Sequence, residues 1–174
     1  MSERGIDEFL ARLKDCVDRR DRGVLADLRR GFSETTAHRT WPHIFAFWGP
    51  RVKGQLRVLQ LIAAGFATLE ATTLAGNMGM TMRRLAIGDH KGKSEQTDAL
   101  KSFDGRFRRL LTCRTADELC DRLPGILRAA KQKNVDVDFR QLYWDLLCWN
   151  SDKRDVRVDW AAAYWGAVAD EGAA

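Results

Sequence analysis

The side chains that suggest a chemistry in this sequence are basic, and their grouping along the chain indicates binding rather than catalysis. The 174 residues contain 29 Lys and Arg against 24 Asp and Glu, a formal net charge of +5. The surplus is uneven: residues 28–57 hold six basic side chains against one acidic, and residues 83–109 hold eight against four. Because guanidinium and ammonium groups neutralise phosphates and release their counterions, this basic band predicts a polyanionic partner. A solvated helix face is the alternative.

Seven positions of the basic band are the best placed for phosphate contacts. Arg106 and Arg109 are three residues apart on one predicted helix and can point the same way. The others lie at the end of a predicted helix, at the start of the next segment or on a loop. The candidates are Arg29, Arg30, Arg51, Lys91, Lys93, Arg106 and Arg109. The alternative is that these residues keep the surface solvated or form ion pairs with Glu95, Asp98 or Asp104.

Other chemistries are not supported by the spacing of the residues. The four cysteines form no C-x-x-C pair and the three histidines bring no zinc-ligand spacing, so we predict reduced, buried thiols and no metal site. Residues 88–94 (GDHKGKS) are one residue short of a phosphate-binding P-loop, and no predicted strand precedes them. No Ser-His-Asp or Cys-His arrangement stands out. We therefore predict no enzymatic activity and no cofactor.

Six tryptophans offer aromatic surface of the kind that can stack on nucleobases. Four of them, Trp144, Trp149, Trp160 and Trp165, lie within residues 135–174, where acidic residues outnumber basic ones. Tryptophans at helical spacing among leucines and valines are more often core residues, because of the large area that they bury. We therefore expect the tryptophans in the core, with base stacking as the alternative.

Apolar residues recur at helical spacing nearly throughout the chain, most clearly over residues 56–69. This pattern predicts an all-α fold of about nine helices, arranged as two packed helical bundles. Residues 75–80 and 88–94 contain glycines without periodicity and are predicted to be loops. The second loop separates a predicted N-terminal bundle, residues 1–92, from a predicted C-terminal bundle, residues 93–174.

Two helix starts are predicted from their side chains. Thr115 and Glu118 have the spacing of a capping box, in which each side chain accepts from a backbone N–H of the first turn. Asp138 ends a short alternating segment that has no partner strand, and it is predicted to be the N-cap of the helix that follows.

The sequence shows no sign of membrane insertion or export. No apolar run reaches the roughly 18–20 residues needed to span a bilayer. The N-terminal residues lack the apolar stretch of a secretion signal. We therefore expect a cytoplasmic protein without a membrane partner.

Five short segments occur in an order that is characteristic of one protein family. They are GVLADLRRG at 23–31, KSE at 93–95, RFRRLL at 106–111, VDFRQLYWDLLCW at 137–149 and VRVDWAAAYW at 156–165. With them, the chain resembles the CasB family, the small subunit of the type I-E CRISPR Cascade surveillance complex. The match runs over most of the chain, and the ordered set is more specific than any one segment.

The resemblance implies a two-lobed helical protein that has no enzymatic activity of its own. In that family, two copies sit head to tail along the complex and help to hold the target strand and the displaced non-target strand of the R-loop. The implied partners are therefore DNA, the large and backbone subunits with their crRNA, and a second copy of the chain. Because base pairing with the guide RNA reads the sequence, a sequence-independent basic track is sufficient for this role.

The resemblance also implies which residues contact DNA: Arg30, Arg51, Lys93 and Arg106. Charge and spacing alone support the other three candidates. The family's late basic cluster is diluted in this chain, because Asp152 and Asp155 flank Lys153 and Arg154. The alternative function, from a different class, is a helical scaffold whose basic band docks acidic protein surfaces and never contacts nucleic acid.

Overall fold

The chain is helical throughout the part that the structure, a computed structural model, describes, which is residues 3–88 and 92–166. Within these ranges it forms nine α-helices and no strand, which confirms the all-α prediction. The helices are α1 Glu3–Asp18, α2 Arg22–Arg29, α3 Trp41–Trp48, α4 Leu56–Leu69, α5 Met78–Ile87, α6 Lys93–Leu111, α7 Ala116–Gln132, α8 Phe139–Leu147 and α9 Val156–Ala161. The 3-10 turns are Arg30–Phe32, Ala37–Thr40 and Pro50–Gln55, and a π-helical turn, Ala162–Gly166, follows α9. None of these helices is both long enough and apolar enough to cross a membrane.

Helix α4 lies at the centre of the fold. It is buried without interruption from Val58 to Ala67, so it has to be covered on every side. Helices α1, α2, α3, α7 and α8 pack against it. Gly65 lets two of them approach closely, because an added Cβ would lie 2.6 Å from Cε1 of Phe139 and 2.9 Å from Cδ1 of Leu127.

A second group of helices forms around α5, which packs against α6, α9 and the π-helical turn. The helices thus form two packed groups within the predicted all-α fold. The buried apolar side chains of both groups form one continuous core. The division between residues 1–92 and 93–174 stays a prediction: α7 and α8, which follow it, pack against α4, which precedes it.

Both predicted helix starts are present. The hydroxyl of Thr115 accepts from the N–H of Glu118 at 3.2 Å, and the Glu118 carboxylate accepts from the N–H of Arg114 at 2.7 Å. The carboxylate of Asp138 accepts from the N–H of Gln141 at 2.8 Å and caps α8. The N–H groups of Glu118 and Gln141 belong to the first turn of their helices and have no partner within the helix, so these caps satisfy them. The return bond from Glu118 goes to the N–H of Arg114, the residue before the N-cap.

The predicted loop at residues 75–80 is wrong in its second half, because α5 begins at Met78. The side chain of Asn77 caps this helix by accepting from the N–H of Met80 at 3.2 Å. The same side chain donates to the carbonyl oxygen of Asp159 at 3.1 Å. A side-chain cap that is also held by a tertiary contact outweighs the low helix propensity of the glycine that follows.

The predicted loop at residues 88–94 extends too far as well, since α6 begins at Lys93. The first turn of α6 is closed by the N–H of Gln96, which donates to the carbonyl oxygen of Gly92 at 2.9 Å. Residues 89–91 of this predicted loop lie outside the described residues.

Five of the six tryptophans belong to the core, as predicted. Trp149 and Trp160 are only 2% and 0% exposed, and their ring centroids lie 5.0 Å apart. Trp41 is the exception, because its exposed fraction is 43%. Those that are partly buried and pack against the core are Trp48, Trp144 and Trp165.

Helices α5 and α9 meet at Gly79. A Cβ added to this residue would lie 2.0 Å from the carbonyl oxygen of Trp160. That oxygen belongs to the backbone and cannot rotate away, so any larger residue has to push the two helices apart. The contact therefore explains why a glycine stands in the first turn of α5.

We predict that Gly79→Ala lowers the free energy of unfolding by about 3 kcal/mol, because the two helices have to separate. Urea denaturation followed by far-UV circular dichroism measures it. Gly105→Ala on α6 is the matched control, since a Cβ there meets nothing within 4 Å. The free energy of unfolding of this control variant is expected to rise by about 0.5–1 kcal/mol, because alanine has a higher helix propensity than glycine. Equal stability of the two variants would contradict the close contact.

Candidate nucleic-acid interface

Helices α5, α6 and α7 border an open groove of about 380 Å³. Three arginines line this groove, and none of the described residues that line it is acidic. We call it the arginine groove and define it by Arg106, Arg109 and Arg122. The remaining lining residues are mainly apolar, and they are Met82, Leu85, Phe103, Leu110, Gly125, Ile126 and Ala129.

Helix α6 brings two predicted candidates together. Its buried residues Phe107 and Leu110, 0% and 2% exposed, hold one side of the helix against the core. Arg106 and Arg109 are exposed and three residues apart, which places them on neighbouring turns of the same side. They line one groove, as their spacing predicts.

The guanidinium of Arg106 is positioned by an aromatic ring. Its central carbon lies 5.3 Å from the ring centroid of Phe103. Such a cation–π contact attracts the guanidinium to the ring without removing its charge, and its N–H groups can still donate. Arg106 is thus oriented without being neutralised.

Two of the three acidic residues of α6 pair with cations outside the groove. Asp98 lies 3.5 Å from Lys101, and Asp104 lies 3.6 Å from Arg108. Among the described residues, the two groove arginines of α6 have no carboxylate partner. Ion pairing with Asp98 or Asp104, which was an alternative for these candidates, therefore does not neutralise them.

The third groove arginine, Arg122, was not among the sequence candidates. It stands on α7 between Leu119 and Leu123, which are both fully buried, and its own side chain is exposed. Burial raises the pKa of the Cys113 thiol, whereas the charge of Arg122 and its hydrogen bond to Cys113 oppose that rise. The helical pattern of α7 already indicates that Arg122 is exposed. That it lies beside the arginines of α6 follows only from tertiary packing.

Arg29 already has partners within the protein. Its Nε donates to the carbonyl oxygen of Ala67 at 2.8 Å, and its Nη2 donates to Oε1 of Glu70 at 2.7 Å. These contacts join the end of α2 to the end of α4. The charge of Arg29 is already partly compensated by Glu70. A DNA contact by Arg29 stays a prediction.

Two further candidates, Arg30 and Lys93, are exposed but do not line the arginine groove. Arg30 begins the 3-10 turn after α2. Lys93 begins α6, and at 1.5 Å per residue the 13 positions to Arg106 correspond to about 20 Å. At these residues DNA contact stays a prediction.

The last two candidates are not fully covered by the structure. Arg51 belongs to the 3-10 turn Pro50–Gln55, but its side chain lies outside the described residues. Lys91 lies outside them entirely. Both stay predictions.

The histidines, cysteines and carboxylates of the described residues are the groups that metal or thiol chemistry would require. No cluster of three or more potential metal ligands occurs among these described residues. The four cysteines are free thiols, two of them buried. Burial raises the pKa of Cys120 to about 12, which keeps this thiol protonated and unreactive at neutral pH.

The fold is shared with a subunit of an RNA-guided assembly. A chain of the solved structure "CRISPR RNA-guided surveillance complex" aligns with a TM-score of 0.70 and 17% sequence identity, over 98% of this chain and 98% of that chain. The family model described as "CRISPR-associated protein Cse2" matches residues 24–165. The chain belongs to this family, the small subunit of type I-E Cascade that is also called CasB, which confirms the resemblance. No curated protein matches the chain.

The late basic residues Lys153 and Arg154 differ in their surroundings. Lys153 is exposed. The guanidinium of Arg154 lies 3.0 Å from Asp145 and 2.8 Å from Asp159. Arg154 therefore acts as an internal cation between α8 and α9.

Asp145 is fully buried, and its charge is compensated by three donors. It accepts from Nε1 of Trp160 at 2.7 Å, from Nε2 of Gln141 at 2.8 Å and from Arg154. Burial raises the pKa of this carboxyl, while the donors and the charge of Arg154 oppose the rise. Because the pKa of Asp145 is higher in the folded than in the unfolded state, the folded state binds this proton more tightly. The stability gained from the protonated carboxyl is therefore complete below about pH 4 and is lost as the pH rises through the folded-state pKa.

We predict that Arg154→Met destabilises the protein by about 2 kcal/mol at pH 7. This is less than for a fully buried pair, because Arg154 is 36% exposed. The loss is expected to shrink at pH 4, where protonation of Asp145 removes the charge left without a cation. Denaturant titrations at both pH values measure it, with Lys153→Met as an exposed control near zero. A loss that is independent of pH would contradict this role of Arg154.

Proposed function

We propose that the chain is the small subunit of a type I-E CRISPR Cascade, and that it binds DNA non-specifically to stabilise the R-loop during crRNA-guided interference. Membership of the Cse2 family supports the place in the complex. The observation that carries the DNA-binding part is the arginine groove, in which three arginines meet without an acidic residue among the described lining residues.

The groove suits the backbone of DNA rather than its sequence. Guanidinium groups bind phosphates through charge-assisted N–H bonds, and such contacts do not distinguish one base from another. Base pairing with the guide RNA supplies the sequence reading in this class of complex. A small number of arginine contacts is sufficient, because the heteroduplex formed in an R-loop is about as stable as the duplex that it replaces.

The partners of this proposal are the target and non-target strands, the large and backbone subunits with their crRNA, and a second copy of the chain. The role requires no catalysis, so we propose that the protein acts through binding alone. Its proposed location is the cytoplasm, where it would meet invading DNA.

A protein partner is the second candidate for the same groove. The apolar side chains between the arginines also suit an acidic peptide with aliphatic residues, as the scaffold alternative requires. Binding of the isolated chain to DNA, compared with its co-purification with other subunits, separates the two functions.

We predict that the isolated protein binds single-stranded DNA weakly and with a steep salt dependence. We expect the arginine groove to account for part of that salt dependence. In the triple variant Arg106→Gln, Arg109→Gln and Arg122→Gln, the slope of log K against log salt is expected to become shallower by about 2. The reason is that each lost phosphate contact accounts for about 0.7 on a single strand. Fluorescence anisotropy from low to moderate salt measures the slope.

The control removes the same charge elsewhere. Lys14, Arg19 and Lys101 are exposed, and each is paired with an acidic residue three or four positions away in the sequence. Their triple substitution by Gln is expected to change the slope much less. If both triple variants lost the same slope, net charge rather than the groove would account for binding. Binding that is insensitive to salt in the wild type would contradict a phosphate contact.

We further predict that the groove variant shortens the lifetime of the R-loop in reconstituted Cascade by about tenfold, which corresponds to about 1.4 kcal/mol of lost contacts. Protection of the displaced strand after a competitor chase measures the lifetime. Co-purification of the variant with the other subunits has to remain normal. Weaker assembly with an unchanged lifetime would instead favour the scaffold function.

A further inference from the structure

Trp41 differs from the other tryptophans in being open to solvent. Its exposed fraction is 43%, whereas the others are buried or packed against the core. It stands at the first position of α3, directly after the 3-10 turn Ala37–Thr40. The buried residues on either side, Thr40 and Ile44, anchor this corner and leave the indole at the surface.

The surroundings of Trp41 are polar and basic. The ring of His38 lies 6.4 Å from the indole, and the two planes are nearly perpendicular at 81°. His38 therefore does not stack in parallel on the indole. Arg39, also exposed, stands between the two aromatic residues in the sequence.

Arg30 lies close to this corner through the packing of two turns. The turn that it begins, Arg30–Phe32, packs against the turn Ala37–Thr40. The hydroxyl of Thr36 donates to the carbonyl oxygen of Arg30 at 2.9 Å, which ties the two turns together. The two turns that carry Arg30 and Arg39 therefore lie side by side, and the second of them leads directly into Trp41 with its exposed indole.

The acidic residues near this corner are already paired. Asp27 lies 3.7 Å from both Arg39 and His43, and Glu34 lies 3.2 Å from Arg57, whose guanidinium it shares with Asp121. Arg39 itself remains 52% exposed at this long distance from Asp27. Arg30 has no carboxylate partner among the described residues, so it and the loosely paired Arg39 are the cations that can meet a polyanion at this corner.

We propose that Trp41 is a stacking platform for an unpaired base of single-stranded DNA, with Arg30 and Arg39 placed to meet the neighbouring phosphates. This inference rests on the proposed function, and it adds a preference for unpaired over paired DNA. A base within a duplex is already stacked on its neighbours, whereas a base of a displaced strand is free to stack on an indole. Aromatic stacking also tolerates any base, as a sequence-independent role requires.

The test measures binding of the full chain to three probes of similar charge: an oligothymidine of about 16 nucleotides, a chain of the same length made of abasic sites, and a short duplex. We expect Trp41→Leu to weaken the affinity for oligothymidine by about tenfold. The affinities for the other two probes are expected to stay within about twofold of the wild-type values. Trp41→Phe, which keeps an aromatic ring, is expected to recover most of the lost affinity. Leu74→Ala is the control, because it removes an apolar side chain that is 93% exposed at another place.

Each outcome decides between the two proposals. If Trp41→Leu bound oligothymidine like the wild type, or weakened all three probes equally, stacking would be overturned while non-specific DNA binding stood. If the variant bound all probes normally but co-purified poorly with other subunits, the corner would be a protein interface and stacking would again be overturned. If the wild type bound none of the probes, the proposed function and this inference would both fail.

Discussion

Helix α4 has to be enclosed on all sides, because ten consecutive residues from Val58 to Ala67 are buried and Gln60 is the single polar side chain among them. An apolar helix of this length is stable in water only when other helices remove its surface from solvent. Helices α1, α2, α7 and α8 do so, and each of them turns its apolar stripe inward. Their charged side chains are directed outward by the same requirement. The burial of one helix thus directs the charged side chains of the helices around it, whereas α6 packs against α5.

Helix α7 connects this requirement to the arginine groove. Leu119, Leu123 and Leu127 are fully buried along its inner side, so Arg122 emerges on the outer side, where α6 presents its own arginines. The resulting site is open and borders apolar side chains. Such a shallow cationic site fits a partner that must be held along its backbone and released again.

Local patterns were sufficient for much of the fold. The limits of α4 coincide with the predicted apolar stripe at residues 56–69, and the caps at Thr115 and Asp138 depend on side chains only three residues from the N–H groups that they accept from. The start of α5 was missed because its cap, Asn77, is also held by a bond to Asp159, 82 residues further along the chain. Neither hydropathy nor glycine content carries information about such a contact.

The sequence by itself determined the helical class, the limits of α4, the family and the placement of Arg106 and Arg109 on one side of a helix, since all of these depend on local periodicity or on ordered motifs. Only the tertiary structure decided which basic residues have partners inside the protein, such as Arg29, which pairs with Glu70 41 residues away. It also decided that Arg122 lines the same groove as the arginines of α6. The physical reason is that the charge of a side chain is a property of its type. Its availability to a phosphate depends on which carboxylates and carbonyls the packing of distant helices brings within hydrogen-bond reach.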